Sequence, residues 1–117
     1  MKRKIIRIEN GTVSVPDDVR MSICEIADLF GIFYRTAKIN IRAIEKSNIA
    51  CGDYSMCCTV EGQGVYPEYY GLDMIVAVAF RVQSAKAGVF RKWIIRKADK
   101  HDVTATLIFP LQNSMLN

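Results

Sequence analysis

Residues 21–44 read MSICEIADLFGIFYRTAKINIRAI, and the folding of this stretch decides the architecture of the rest of the chain. Ser22 and Glu25 have the spacing of a capping box, in which the hydroxyl covers an orphan helix amide and the carboxylate reaches back to the cap. A helix is therefore expected from about Ser22 to Phe30, with Ile23, Ile26, Ala27 and Phe30 on its apolar side, and Gly31 should end it. A second helix follows from roughly Tyr34 to Lys46, burying Ala37, Ile41 and Ile44 at i, i+4 and i+7. A helix-turn-helix needs a small residue where its helices cross and a conformationally free residue at the turn, and Ala27 and Gly31 supply them. Ala37 and Ile41 then fall on the buried positions of the second helix. An ordinary helical hairpin shares the Ala-x3-Gly pattern and stands as the alternative.

If Ala37, Ile41 and Ile44 face the core, Arg35, Lys38 and Arg42 project away from it, where they suit phosphates and base edges in a major groove. The plain alternative is a solvated helix face. Phe33 and Tyr34 occupy a turn where small hydroxyl residues usually cap a recognition helix, and Ile39 is left partly exposed. Either Phe33 folds back onto the core or this surface binds protein.

On the N-terminal side, IIRIENGTVSV at residues 5–15 places two β-prone runs around Asn10-Gly11, the dipeptide best suited to a type I′ turn. A hairpin within residues 1–16 is expected, broken by Pro16-Asp17-Asp18. On the C-terminal side, Cys57–Val60 and Val65-Tyr66 flank Glu61-Gly62-Gln63-Gly64, a second hairpin placed as the wing of a winged helix within residues 51–70. Pro67 would keep its returning strand at an edge. LDMIVAVAFRV from Leu72 is apolar nearly all round and reads as a buried helix. Ser84 is a natural N-cap for a last helix ending near Lys97, giving a helix pair over 72–98. VTATLIF at 103–109 reads as a final strand before a loose tail to residue 117.

The fold expected is thus α+β: one winged-helix-like helix-turn-helix domain over residues 1–117, with an N-terminal β-hairpin, helices over 22–46, a β wing and a C-terminal helix pair. The 117 residues, half of them apolar, suffice for one modest core. Sixteen Lys and Arg against twelve Asp and Glu leave a net charge of +4, which permits a nucleic-acid partner without requiring one. The basic N-terminus turns charged too soon for a secretory signal, and the longest apolar stretch, Met74 to Phe80, falls far short of the ~20 residues of a membrane span. A cytoplasmic protein is expected.

Cys24, Cys51, Cys57 and Cys58 show no C-x2-C pair, and the single histidine, His101, is distant in sequence, so reduced thiols are expected in place of a zinc site. The acidic residues are scattered, and Gly62-x-Gly64 is too short for a phosphate loop. No constellation for catalysis is visible, and neither an enzyme nor a cofactor is expected. Phe90, Trp93 and Ile94 form an aromatic-aliphatic stripe best read as core. Lys92, Arg96 and Lys100 at i, i+4 and i+8, with Arg81, Lys86, Arg91 and Lys97 nearby, make the densest positive region. It can grip phosphates or simply be a solvated face.

Two stretches resemble the N-terminal part of the RhuM virulence-protein family. One is the 21–44 block, which resembles that family's helix-turn-helix. The other is YYGLDMIVAVAFRVQSAKAGVFRKWIIRKA at residues 69–98, whose Ser84 and Phe90-Arg91-x-Trp93 are also similar to the end of phage BRO-N antirepressor domains. The resemblance implies a DNA-binding transcription regulator of mobile-element or phage type. It places Arg35, Thr36, Lys38, Asn40 and Arg42 on the recognition helix, with Asn40 where the family carries histidine. The long C-terminal region of typical members is missing, which suggests a mobile-element remnant or a stand-alone N-terminal module. The expected DNA contacts are Tyr34, Arg35, Thr36, Lys38, Asn40, Arg42, Lys92 and Arg96. Double-stranded DNA is the expected partner, with a homodimer formed through the 103–109 strand. The rival is an antirepressor-like module that binds another regulatory protein and no DNA.

Overall fold

The computed structural model of the chain describes residues 5–52, 54 and 58–100. It opens on a hairpin of β1 (Arg7–Glu9) and β2 (Thr12–Ser14), closed by the pair Glu9↔Thr12. Asn10 and Gly11 both take positive φ, 52° and 75°, as a type I′ turn demands.

α1 (Ile23–Phe30) begins at the expected capping box. The Glu25 amide donates to Ser22 Oγ over 3.2 Å, and the Ser22 amide donates to Glu25 Oε1 over 2.9 Å. Ser22→Ala removes one half of this pair and is expected to lower the unfolding free energy by about 1 kcal/mol, measurable by urea titration. Gly31 then turns left-handed at φ 63°, and its amide and that of Ile32 close onto Asp28 O and Ala27 O. α2 (Tyr34–Lys46) leaves this turn and buries Ala37, Ile41 and Ile44 completely.

A second antiparallel hairpin follows, β3 (Cys58–Glu61) with β4 (Gly64–Pro67), in the register Glu61↔Gly64. Its turn is Gly62-Gln63, with Gly62 at φ 61°, so Glu61 and Gly64 belong to the strands and not to a four-residue loop. Beyond it, Tyr70 and Met21 exchange amide–carbonyl hydrogen bonds of 2.9 and 3.0 Å, an isolated antiparallel bridge that ties the residue before the α1 cap to the residue before the cap of the next helix.

That helix, α3 (Leu72–Ala79), stops short of the expected Val82. The reason lies in α4 (Ala85–Lys100), whose Arg91 donates from Nη1 to the carbonyls of Ala79 at 2.6 Å and Val82 at 3.0 Å. That cation satisfies carbonyls the turn leaves open. Ser84 caps α4 as expected, its Oγ accepting from the Ala87 amide at 3.1 Å.

Among the described residues the architecture is α+β, four helices with two small antiparallel hairpins. α2 packs on α1 and α3, while α4 packs on α1, α3 and the β1–β2 hairpin. Phe30, Ile41, Tyr70, Met74, Ile75 and Phe90 are fully buried where these layers meet. Phe90 lies 5.7 Å from Phe30 and 5.8 Å from Trp93 between ring centres, so Phe90 is core while Trp93 and Ile94 are half-buried and pack against it. No helix among the described residues is long and apolar enough to cross a membrane. The strand expected at 103–109, the tail and the strand-paired dimer built on them lie outside the described residues.

Candidate nucleic-acid interface

The amphipathic pattern of α2 buries one face and turns Tyr34, Arg35, Lys38, Ile39 and Arg42 outward, where they line a shallow concavity of about 560 Å³. Arg35 is exposed and has no partner among the described residues. α2 begins at Phe33 without a side-chain cap and with no acidic residue in its first turn, so its N-terminal dipole is not neutralised locally.

Lys38 and Arg42 do not project freely, contrary to the sequence expectation. Glu61, at the end of β3, receives Lys38 Nζ on Oε2 at 2.9 Å and Arg42 Nη1 on Oε1 at 2.7 Å. The Arg42 guanidinium also lies 3.6 Å from the centre of the Tyr66 ring on β4, a close cation–π contact that fixes its plane. Hydrogen bonds from Lys38 and then Arg42 hold the Glu61 carboxyl below the usual range, so it stays ionised between them. Arg42 Nε is buried with no acceptor among the described residues.

Asn40 is also engaged within the fold. Its Nδ2 donates to Thr36 O at 2.8 Å and its Oδ1 accepts from Arg81 Nε at 3.1 Å, so it pins α2 to the residues after α3. Thr36 is partly buried. On α4, Lys92 and Arg96 are exposed but do not line the α2 concavity. Arg91 is spent on the carbonyls of Ala79 and Val82, and Lys97 sits 5.5 Å from the Trp93 ring centre. The C-terminal cations thus differ in role: Arg91 is structural, Arg81 is bonded to Asn40 of α2, and Lys92 and Arg96 are solvated.

Phe33 does not fold back onto the core, being 83% exposed, and Ile39 is 62% exposed. The residues that periodicity missed are Glu61 and Tyr66 on the hairpin. The one hint was a carboxylate placed directly before Gly62, at the point where a wing would meet the second helix. Nearby, Glu45 Oε2 accepts from the Gly52 amide and the Tyr54 hydroxyl, and burial together with the Glu45 charge pushes the Tyr54 hydroxyl up. Tyr70 is raised further, by burial first and by Glu45 second, and its hydroxyl has no partner among the described residues.

Cys24, Cys51 and Cys58 are free and exposed, and no group of three or more His, Cys, Asp or Glu side chains among the described residues is placed to hold a metal. Cys57 and His101 lie outside the described residues. In comparisons with known proteins, the chain matches no family model, no curated protein and no solved structure.

Proposed function

We propose that the chain is a winged-helix DNA-binding module, a transcription regulator of mobile-element or phage type, that contacts duplex DNA with α2. One observation carries this reading: α1 and α2 meet at the left-handed Gly31 so that Tyr34, Arg35, Lys38 and Arg42 face outward beside the β3–β4 hairpin. In this arrangement the N-terminal half of α2 enters the major groove and the hairpin lies against the flanking backbone. The uncapped amides of the first turn and the Arg35 guanidinium form one positive end, suited to a phosphate or to the paired acceptors of a guanine. Lys92 and Arg96, exposed but not lining the α2 concavity, serve at most as accessory phosphate contacts.

The test is fluorescence anisotropy with random duplex DNA over a salt series. The wild type is expected to bind in the micromolar range at low salt, weakening steeply as salt rises. Arg35→Ala is expected to flatten the log–log salt slope by about 0.9, the loss of one phosphate contact. Lys38→Ala is expected to change it less, because Glu61 already occupies that ammonium. Absence of binding at low salt overturns the DNA reading.

A second reading is favoured by the exposure of Phe33 and Ile39 beside cations already paired with Glu61. An apolar surface ringed by mixed charge suits a protein partner, which would make the chain an antirepressor-like module acting on another regulator.

A further inference from the structure

We infer that Glu61 is an electrostatic gate on the α2 surface, a carboxylate that withholds Lys38 and Arg42 from phosphate and so disfavours indiscriminate binding to duplex DNA. The inference rests on the DNA reading above and goes beyond it by naming what limits the contact. Arg35, Lys38 and Arg42 line the α2 concavity, and a single carboxylate claims two of them, Lys38 at 2.9 Å and Arg42 at 2.7 Å. Arg42 is held more firmly, with its plane on Tyr66, whereas Lys38 has a flexible stem and only a distant ring contact, 6.0 Å from the centre of Tyr34. Glu61 itself is half exposed and immediately precedes the left-handed Gly62, so it stands at the base of the wing turn.

A phosphate approaching Lys38 or Arg42 has to displace this carboxylate or sit beside its negative charge. Contacts to bases at a cognate site compensate for that displacement. Phosphates met at random do not, so the carboxylate weakens non-specific binding more than specific binding. Without the displacement, the concavity presents an arriving backbone with Arg35 alone of its three cations.

The variant that tests this is Glu61→Gln, which keeps the side-chain shape and removes the charge. Against random duplex DNA its log–log salt slope is expected to steepen by about 1.8, from two cations freed at ~0.9 each, with binding about tenfold tighter at low salt. Glu61→Asp, too short to reach both cations, should fall between wild type and Glu61→Gln and guards against a local folding defect in the latter. Two controls separate the gate from a change in net charge. Glu9→Gln removes an exposed carboxylate of β1 that lines no cleft with Lys38 or Arg42 and should leave the slope unchanged. Glu61→Gln combined with Lys38→Ala and Arg42→Ala should lose the gain.

The same variants are run on heparin-agarose, a polyanion with no bases. Later elution of Glu61→Gln but not of Glu9→Gln supports the gate, even if no variant binds duplex DNA, in which case the DNA reading alone falls. Identical behaviour of Glu61→Gln and wild type on both supports, or equal gains from Glu61→Gln and Glu9→Gln, overturns it.

Discussion

Phe30→Ala is expected to lower the unfolding free energy by about 3–5 kcal/mol. Phe30 ends α1, is fully buried, and meets Phe90 of α4 at 5.7 Å with the rings tilted by 54°. It therefore joins the helical corner to the C-terminal helix, and its loss opens a cavity at a junction of layers, away from any surface that could collapse into it. A domain of this size has only about 5–15 kcal/mol of stability, so the midpoint of thermal unfolding should fall by roughly 15–30 °C. Calorimetry or circular dichroism on wild type and variant checks this. A shift of only a few degrees would show that α1 and α4 are not packed as described.

Arg91→Ala should be nearly as damaging, about 2–4 kcal/mol, although the residue sits in what the sequence presents as a basic, partner-binding region. Its guanidinium bonds the carbonyls of Ala79 and Val82, so truncation leaves two acceptors at the α3–α4 junction without a donor. Arg91→Lys keeps the charge but not the forked geometry, and should recover only part of the loss. The salt slope for duplex DNA should stay at the wild-type value once both proteins are folded, because this cation is turned inward. A flattened slope with unchanged stability would instead make Arg91 a phosphate contact.

The features legible in the sequence were those written over three or four neighbouring residues. Asn10-Gly11, the Ser22/Glu25 box, Gly31 and the Ser84 cap each encode their geometry locally, and the period of Ala37, Ile41 and Ile44 sets which face of α2 is buried. The end of α3 was not legible, because LDMIVAVAFRV carries no stop signal and the donor that ends the helix lies 12 residues beyond Ala79. The site divides in the same way. The exposure of Tyr34 and Arg35 follows from helical period. The Lys38–Glu61 pair spans 23 residues and the Asn40–Arg81 bond 41, and no pattern along the chain specifies such partners. Charge therefore reads freer in the sequence than it is in the fold, because helical period turns Lys38 and Arg42 outward without specifying the distant acceptor that engages them.

The bridge between Met21 and Tyr70 bears on how the chain tolerates changes in length. The helical corner and the β3–β4 hairpin arise and return at one point, where two backbones exchange a pair of hydrogen bonds. Insertions or deletions within the hairpin turn at Gly62-Gln63 can therefore accumulate without moving the β1–β2 hairpin or the α3–α4 pair. The length of the β3–β4 hairpin can change in this way while the frame that presents α2 stays fixed.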